Sequence, residues 1–128
     1  MSAMSDFLEL EVLDHILGTG AYTMPSNVYI GLSTGSFGDD NSGTELSGSG
    51  YARQAATFAA ASSGSAATNA TVNFPTATGS WGAVSHWGLF DASSSGNLLI
   101  HGAFAASKTI ASGDVMRINS GDLTVTAA

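Results

Sequence analysis

Residues 83 to 104 read AVSHWGLFDASSSGNLLIHGAF, two mostly apolar runs separated by DASSSGN at 91 to 97. Period-two alternation sorts side chains onto the two faces of a strand, and Asp91, Gly96 and Asn97 are turn formers. The segment predicts a hairpin of strands Ala83 to Phe90 and Leu98 to Phe104. The same pattern extends outward. Val28, Ile30 and Leu32 alternate with Tyr29, Gly31 and Ser33, and Val72 alternates with Phe74 ahead of Pro75. Further strands are expected near 52 to 58, 115 to 118 and 123 to 126, with stops at Ser112-Gly113-Asp114 and Ser120-Gly121-Asp122. Short strands at intervals of about eight to twelve residues with turns between them predict an all-β fold, an antiparallel β-sandwich or a barrel-like variant of it. At 128 residues the chain has the size of one domain, 1 to 128, and no linker divides it.

One segment breaks the β pattern. Residues 5 to 17 carry Leu10, Leu13 and Leu17 at helical spacing, with Phe7, Val12 and Ile16 widening the stripe and Glu9, Glu11 and Asp14 mostly off it. Ser5 or Asp6 is placed to cap the start, and Gly18 suits the left-handed residue that ends many helices. A helix this short is marginal alone and must dock, on its own sandwich or on a partner. Residues 34 to 50, TGSFGDDNSGTELSGSG, read as a long exposed loop, and AAASSGSAATNA at 59 to 70 as a second low-complexity stretch.

Composition narrows the function classes. Charged residues are only 10% of the chain, with 3 Lys plus Arg against 10 Asp plus Glu, so tracking of nucleic-acid phosphates is excluded as the main task. With no Cys, neither a disulfide framework nor a thiolate metal site can form. The N-terminal MSAMSDFLELEVL has no cationic leader and no long apolar run, so neither a signal peptide nor a membrane anchor is expected, and synthesis in a cytoplasm is. Charge is also unevenly placed. Asp6, Glu9, Glu11, Asp14, Asp39, Asp40 and Glu45 all precede Arg53, the first cation of the chain, so helix and long loop carry the negative excess.

Catalytic constellations are thin. His15 and Asp14 are adjacent on a helix and diverge by about 100°, too far to act on one substrate. His86 and His101 lie on the two hairpin strands and face each other in only one register, without the further ligands a metal needs. Asp39, Asp40, Asn41 and Glu45 invite a calcium reading, but Gly50 stands where the helix-loop-helix pattern requires Glu, and an acidic turn is the expected default. Glycine-rich stretches lead into no helix, which disfavours phosphate binding. The expectation is a non-enzyme with no cofactor and no metal. Among the aromatics, Trp81, beside Gly82 in a turn, is the one expected at the surface, where a receptor or glycan would meet it.

The longest distinctive stretch runs YARQAATFAAASSGSAATNATVNFPTATGSWGAVSHWGLFDASSSGNLLIHGAF, residues 51 to 104. With FLELEVLDHILGTGAYT and VYIGLST in the N-terminal half, it resembles a family of small structural proteins of tailed-bacteriophage virions. The resemblance covers nearly the whole chain, which departs from it mainly within 34 to 50. It implies a virion component with structural duty, described in such families both as a tail fibre and as a capsid decoration, or cement, protein. Compactness, absence of repeats and few cations favour decoration of the outer capsid surface. The expected partners are then the major capsid protein and neighbouring copies in a homo-oligomer, for which a trimer would suit capsid three-fold positions or a fibre equally well. A tail-fibre or tail-tip role, with tail proteins or a host receptor as partner, is the alternative. Phe7, Leu10, Leu13 and Leu17 are the candidate anchors, Asp39, Asp40 and Glu45 the candidate electrostatic contacts, and Trp81 the candidate receptor contact.

Overall fold

The computed structural model describes residues 2–127. Strand β1 spans Ser2–Met4, helix α1 Asp6–Leu17, β2 Val28–Ser33 and β3 Gln54–Ala56. They are followed by β4 at Ser65–Ala67, β5 at Val72–Asn73, β6 at Gly82–Phe90, β7 at Leu98–Ile110, β8 at Arg117–Ile118 and β9 at Thr124–Thr126. The fold is all-β with antiparallel pairing and one N-terminal helix. A five-stranded sheet runs β1-β7-β6-β2-β3, and β4 with β9 and β5 with β8 form two small ribbons. The large sheet stays open among the described residues, because its edge strands β1 and β3 do not pair with one another.

The predicted hairpin is the spine of the molecule. Its register opposes Leu89 to Ile100 and Trp87 to Gly102, then shifts between Val84 and His86 so that β7 continues to Ile110. Such a shift bends the strand and lets it reach further elements. Ile30 and Leu32 pair with Leu89 and Trp87, putting these four on one sheet face. That face packs with Val72, Ile118, Phe74, Met116 and Leu123, so the ribbons and their flanking turns close the main core as a divided second layer.

The opposite sheet face is covered as well, although the alternation at 28 to 33 supplies only one apolar row. Gly31 pairs with Gly88, and Phe90 and Leu98 lie on their side of the sheet. Phe37 comes down onto this face and meets Phe90 edge-to-face, with ring centroids 5.6 Å apart. The two glycines make room. A Cβ on Gly31 would stand 2.8 Å from both Glu45 Oε2 and the Phe90 ring, and one on Gly88 would stand 2.9 Å from Leu98. The 34 to 50 segment is therefore not simply an exposed loop: it is pinned by Phe37, its single large aromatic, and covers the second face of the sheet.

Helix α1 starts where expected. Ser5 is the cap: its Oγ accepts a hydrogen bond from the Leu8 amide at 3.2 Å. The same hydroxyl donates to the Leu98 carbonyl, while the Ser5 amide donates to the Leu99 carbonyl at 2.8 Å. One buried serine thus fixes the helix to the first two residues of β7. Gly18, at φ 77°, closes the other end, and the amides of Thr19 and Gly20 donate to the Asp14 carbonyl.

Candidate interaction surface

At about 100° per residue, Leu10, Leu13 and Leu17 lie about 140 to 180° around the helix from Leu8. Leu8 is the side chain of α1 that is buried. The leucine stripe therefore points away from the domain: Leu10 is 64% exposed, Leu13 55%, Ile16 72% and Leu17 71%. This is the reverse of the usual arrangement, in which the apolar stripe of a surface helix faces its own core. Glu9 and Asp14 flank the stripe on either side, and Asp6 stands at its N-terminal end; all three are exposed. Phe7 departs from the predicted stripe. It is half-buried and lines a groove with Asp39, Asn41 and Asn97.

The acids proposed as partner contacts on the 34 to 50 segment all have internal partners, although Asp39 and Asp40 stay exposed. Glu45 forms a two-pronged ion pair with Arg53, whose Nη2 is 2.7 Å from Oε1 and Nε 2.9 Å from Oε2. Arg53 also donates from Nη1 to the carbonyls of Ala92 and Ser95, and its guanidinium carbon sits 3.6 Å from the Phe90 ring centroid. The Tyr51 hydroxyl donates to Glu45 and accepts from the Leu32 amide at 2.9 Å. Burial, followed by the bond to Glu45, pushes the Tyr51 phenol far above its ordinary range. Tyr51 and Arg53 are the first and third residues of the YARQ motif, so this motif ties the long segment to β2 and to the tip of the β6–β7 hairpin. Glu45 is corrected from a surface contact to a structural group.

Asp39 Oδ1 lies 2.7 Å from His101 Nε2, and the Asp39 carbonyl accepts the Asp6 amide at 2.8 Å. Asp40 Oδ1 accepts the Ser42 amide at 3.1 Å, and its bonds to Ser42 lower its carboxyl below the ordinary value. The three acids aim at three different partners, and no set of three metal-binding side chains converges among the described residues. The two hairpin histidines do not oppose each other: His86 pairs with Ala103 and His101 with Gly88. His86 Nδ1 lies 2.7 Å from Ser85 Oγ, and His15 Nδ1 accepts the Tyr22 amide.

Trp81 is corrected too. It is 5% exposed, donates from Nε1 to the Ser49 carbonyl at 2.9 Å and meets Tyr51 edge-to-face. A turn residue is surface-bound only if nothing folds over it; here the end of the 34 to 50 segment does. Arg53 directly follows the long segment, a position from which pairing with that segment's acids is one expected outcome, and it does pair with Glu45; Phe37 is legible only as an aromatic in a polar stretch. No helix of the described residues is long and apolar enough to cross a membrane.

A family model described as Podophage GP4 fiber I protein gp80 matches residues 3–126. The chain belongs to that family. It is thus a structural protein of a phage virion, as the YARQ, FP and WG motifs lead one to expect. Comparison with curated proteins finds no match. The matched span includes both the outward-facing helix and the Glu45–Arg53 anchorage of this fibre-family protein.

Proposed function

We propose that this chain is a non-enzymatic fibre subunit of a tailed-phage virion, held in the particle through the outward face of α1. The observation that carries the reading is the leucine stripe turned away from the domain's own core. Three leucines left in water on one face of a short helix are best accounted for by burial in an assembly. About two-thirds of each becomes available for burial, at about 2 kcal/mol for a whole side chain, so the stripe supplies about 4 kcal/mol. That only matches the low end of the estimated cost of association, about 4 to 15 kcal/mol. Such an attachment needs further contacts, or several copies held close together, to persist.

The histidines and loop acids are engaged in bonds that fix the fold, which supports a binding rather than a catalytic duty. The fibre description of the family supports the tail as the location. Decoration of the capsid is the second reading, favoured by the compact, repeat-free build, which has no shaft. Cryo-electron microscopy of intact particles tests both. Density for this chain in a few copies at the tail is expected, with α1 at a protein contact. Density repeated over the capsid lattice would replace the fibre reading by decoration, and absence from the particle would overturn both.

A further inference from the structure

Resting on the reading that α1 attaches the chain, we infer that its outward face docks against a different protein, in an apolar groove rimmed by Lys or Arg, and not against a second copy of this chain. The stripe has the spacing of a helix-pairing seam: Leu10, Leu13 and Leu17 are separated by three and then four residues. In a homotypic bundle the positions beside the seam face one another, and here they are Glu9 and Asp14. Parallel or antiparallel, two such helices bring carboxylate against carboxylate, and Asp6 adds a further acid at the end of the seam. Helix α1 carries no Lys or Arg to offset them.

Nor does the rest of the molecule place a cation beside an apolar receptacle for that helix among the described residues. An apolar cleft of about 270 Å³, bordered by Leu8, Val28, Phe58, Leu99 and Val125, would be the natural receptacle for a neighbouring copy's helix, but no cation borders it. Arg53 is committed to Glu45, and the exposed Lys108 and Arg117 lie outside the lining of that cleft. The occupant that satisfies both the leucines and the flanking acids is a groove apolar at its floor and basic at its edges, on another virion protein.

The test uses phage carrying a nonsense allele of this chain, supplied in trans with the full-length wild type, Leu13→Ser/Leu17→Ser, Glu9→Lys/Asp14→Lys or Glu9→Gln/Asp14→Gln. Quantitative immunoblots of purified particles read incorporation, and sedimentation of each purified chain reads self-association. All substituted positions are exposed, and thermal unfolding confirms that each variant folds. The leucine pair and the lysine pair are each expected to cut incorporation at least about tenfold, with the glutamine pair in between and the sedimentation of the free chain unchanged. Re-binding of wild-type chain to deficient particles is expected to weaken as salt rises. Wild-type incorporation by the lysine pair would overturn the basic-rimmed partner. An oligomer of the free chain that the leucine pair dissolves would assign the face to a second copy and overturn the inference, while leaving the virion role intact. Failure of the wild type itself to enter particles would sink the underlying reading and the inference with it.

Discussion

Replacing Arg53 by Met should be the most damaging single surface-proximal change in this protein. The guanidinium makes two bonds to Glu45 and two to backbone carbonyls, and it stacks on Phe90. The side chain of Arg53 is 9% exposed and that of Glu45 22%, so water cannot readily replace the lost partner. Leaving a poorly solvated carboxylate unpaired costs about 3 to 5 kcal/mol. The carbonyls of Ala92 and Ser95 lie nearer the solvent and add little. Against the typical 5 to 15 kcal/mol for a folded domain this is a large share. At about 4 °C per kcal/mol for a domain of this size, Tm should fall by about 12 to 20 °C. The double variant Glu45→Leu/Arg53→Met removes both charges and should recover at least about 1.5 kcal/mol relative to the sum of the two single changes. Denaturant unfolding of wild type, both single variants and the double variant measures this cycle. A loss below about 1 kcal/mol for Arg53→Met, or additive single effects, would refute the claim that this pair anchors the 34 to 50 segment.

Other consequences can be checked on the same purified protein. Tyr51 is held protonated in the fold, while in the unfolded chain a tyrosine ionises near about pH 10. The folded state then retains a proton that the unfolded state releases, so stability is fully present below about pH 10 and falls above it by about 1.4 kcal/mol per pH unit. Tyr51→Phe should flatten that alkaline limb, as read by denaturant unfolding across the pH range. Ser5→Ala removes the helix cap and the donor to the buried Leu98 carbonyl, for a combined cost of about 2 to 3 kcal/mol. Hydrogen exchange should show α1 losing protection before β6 and β7 do. Each of Leu10→Ser, Leu13→Ser and Leu17→Ser should alter stability by no more than about 0.5 kcal/mol. Losses of 2 kcal/mol or more in thermal unfolding would mean that the stripe packs on its own domain.

Much of this architecture could be read from the chain itself, because local patterns coincide with tertiary demands over its longest elements. The hairpin at 83 to 104 and the strand at 28 to 33 carry alternating apolar residues, and the helix beginning after Ser5 carries both cap and stop. Two of the three-residue strands had no such signature. Ser65–Ala67 and Ser2–Met4 contain small or mixed residues and are strands only because β9 and β7 present free edges to them. Periodicity also detects an apolar stripe without saying what lies under it. The leucines of α1 were legible as a stripe, but their outward aim depends on Leu8 and Ser5 seating the helix by its other side. The burial of Trp81 escaped for a related reason. It arises when the 34 to 50 segment folds back, and the composition of that segment in Gly, Ser and Asp reports local freedom, not the anchor Phe37 that helps remove it; the pairing of Glu45 with Arg53 was one of the alternatives the order of charges left open.

The bonds between Ser2 and Thr126 bear on the order of the elements along the chain. Ser2 Oγ accepts the Thr126 amide at 2.8 Å and donates to its carbonyl at 3.1 Å, so residues far apart in sequence are neighbours in space. The path from β1 to β9 is consequently almost a closed circuit, and where that circuit is cut matters less to the fold than its cyclic order. A short linker joining these positions, with a new opening at the exposed turn of residues 63 and 64, would keep every pairing of the large sheet. The helix that carries the attachment face would then lie in the interior of the chain, separating its placement in space from its position in the sequence.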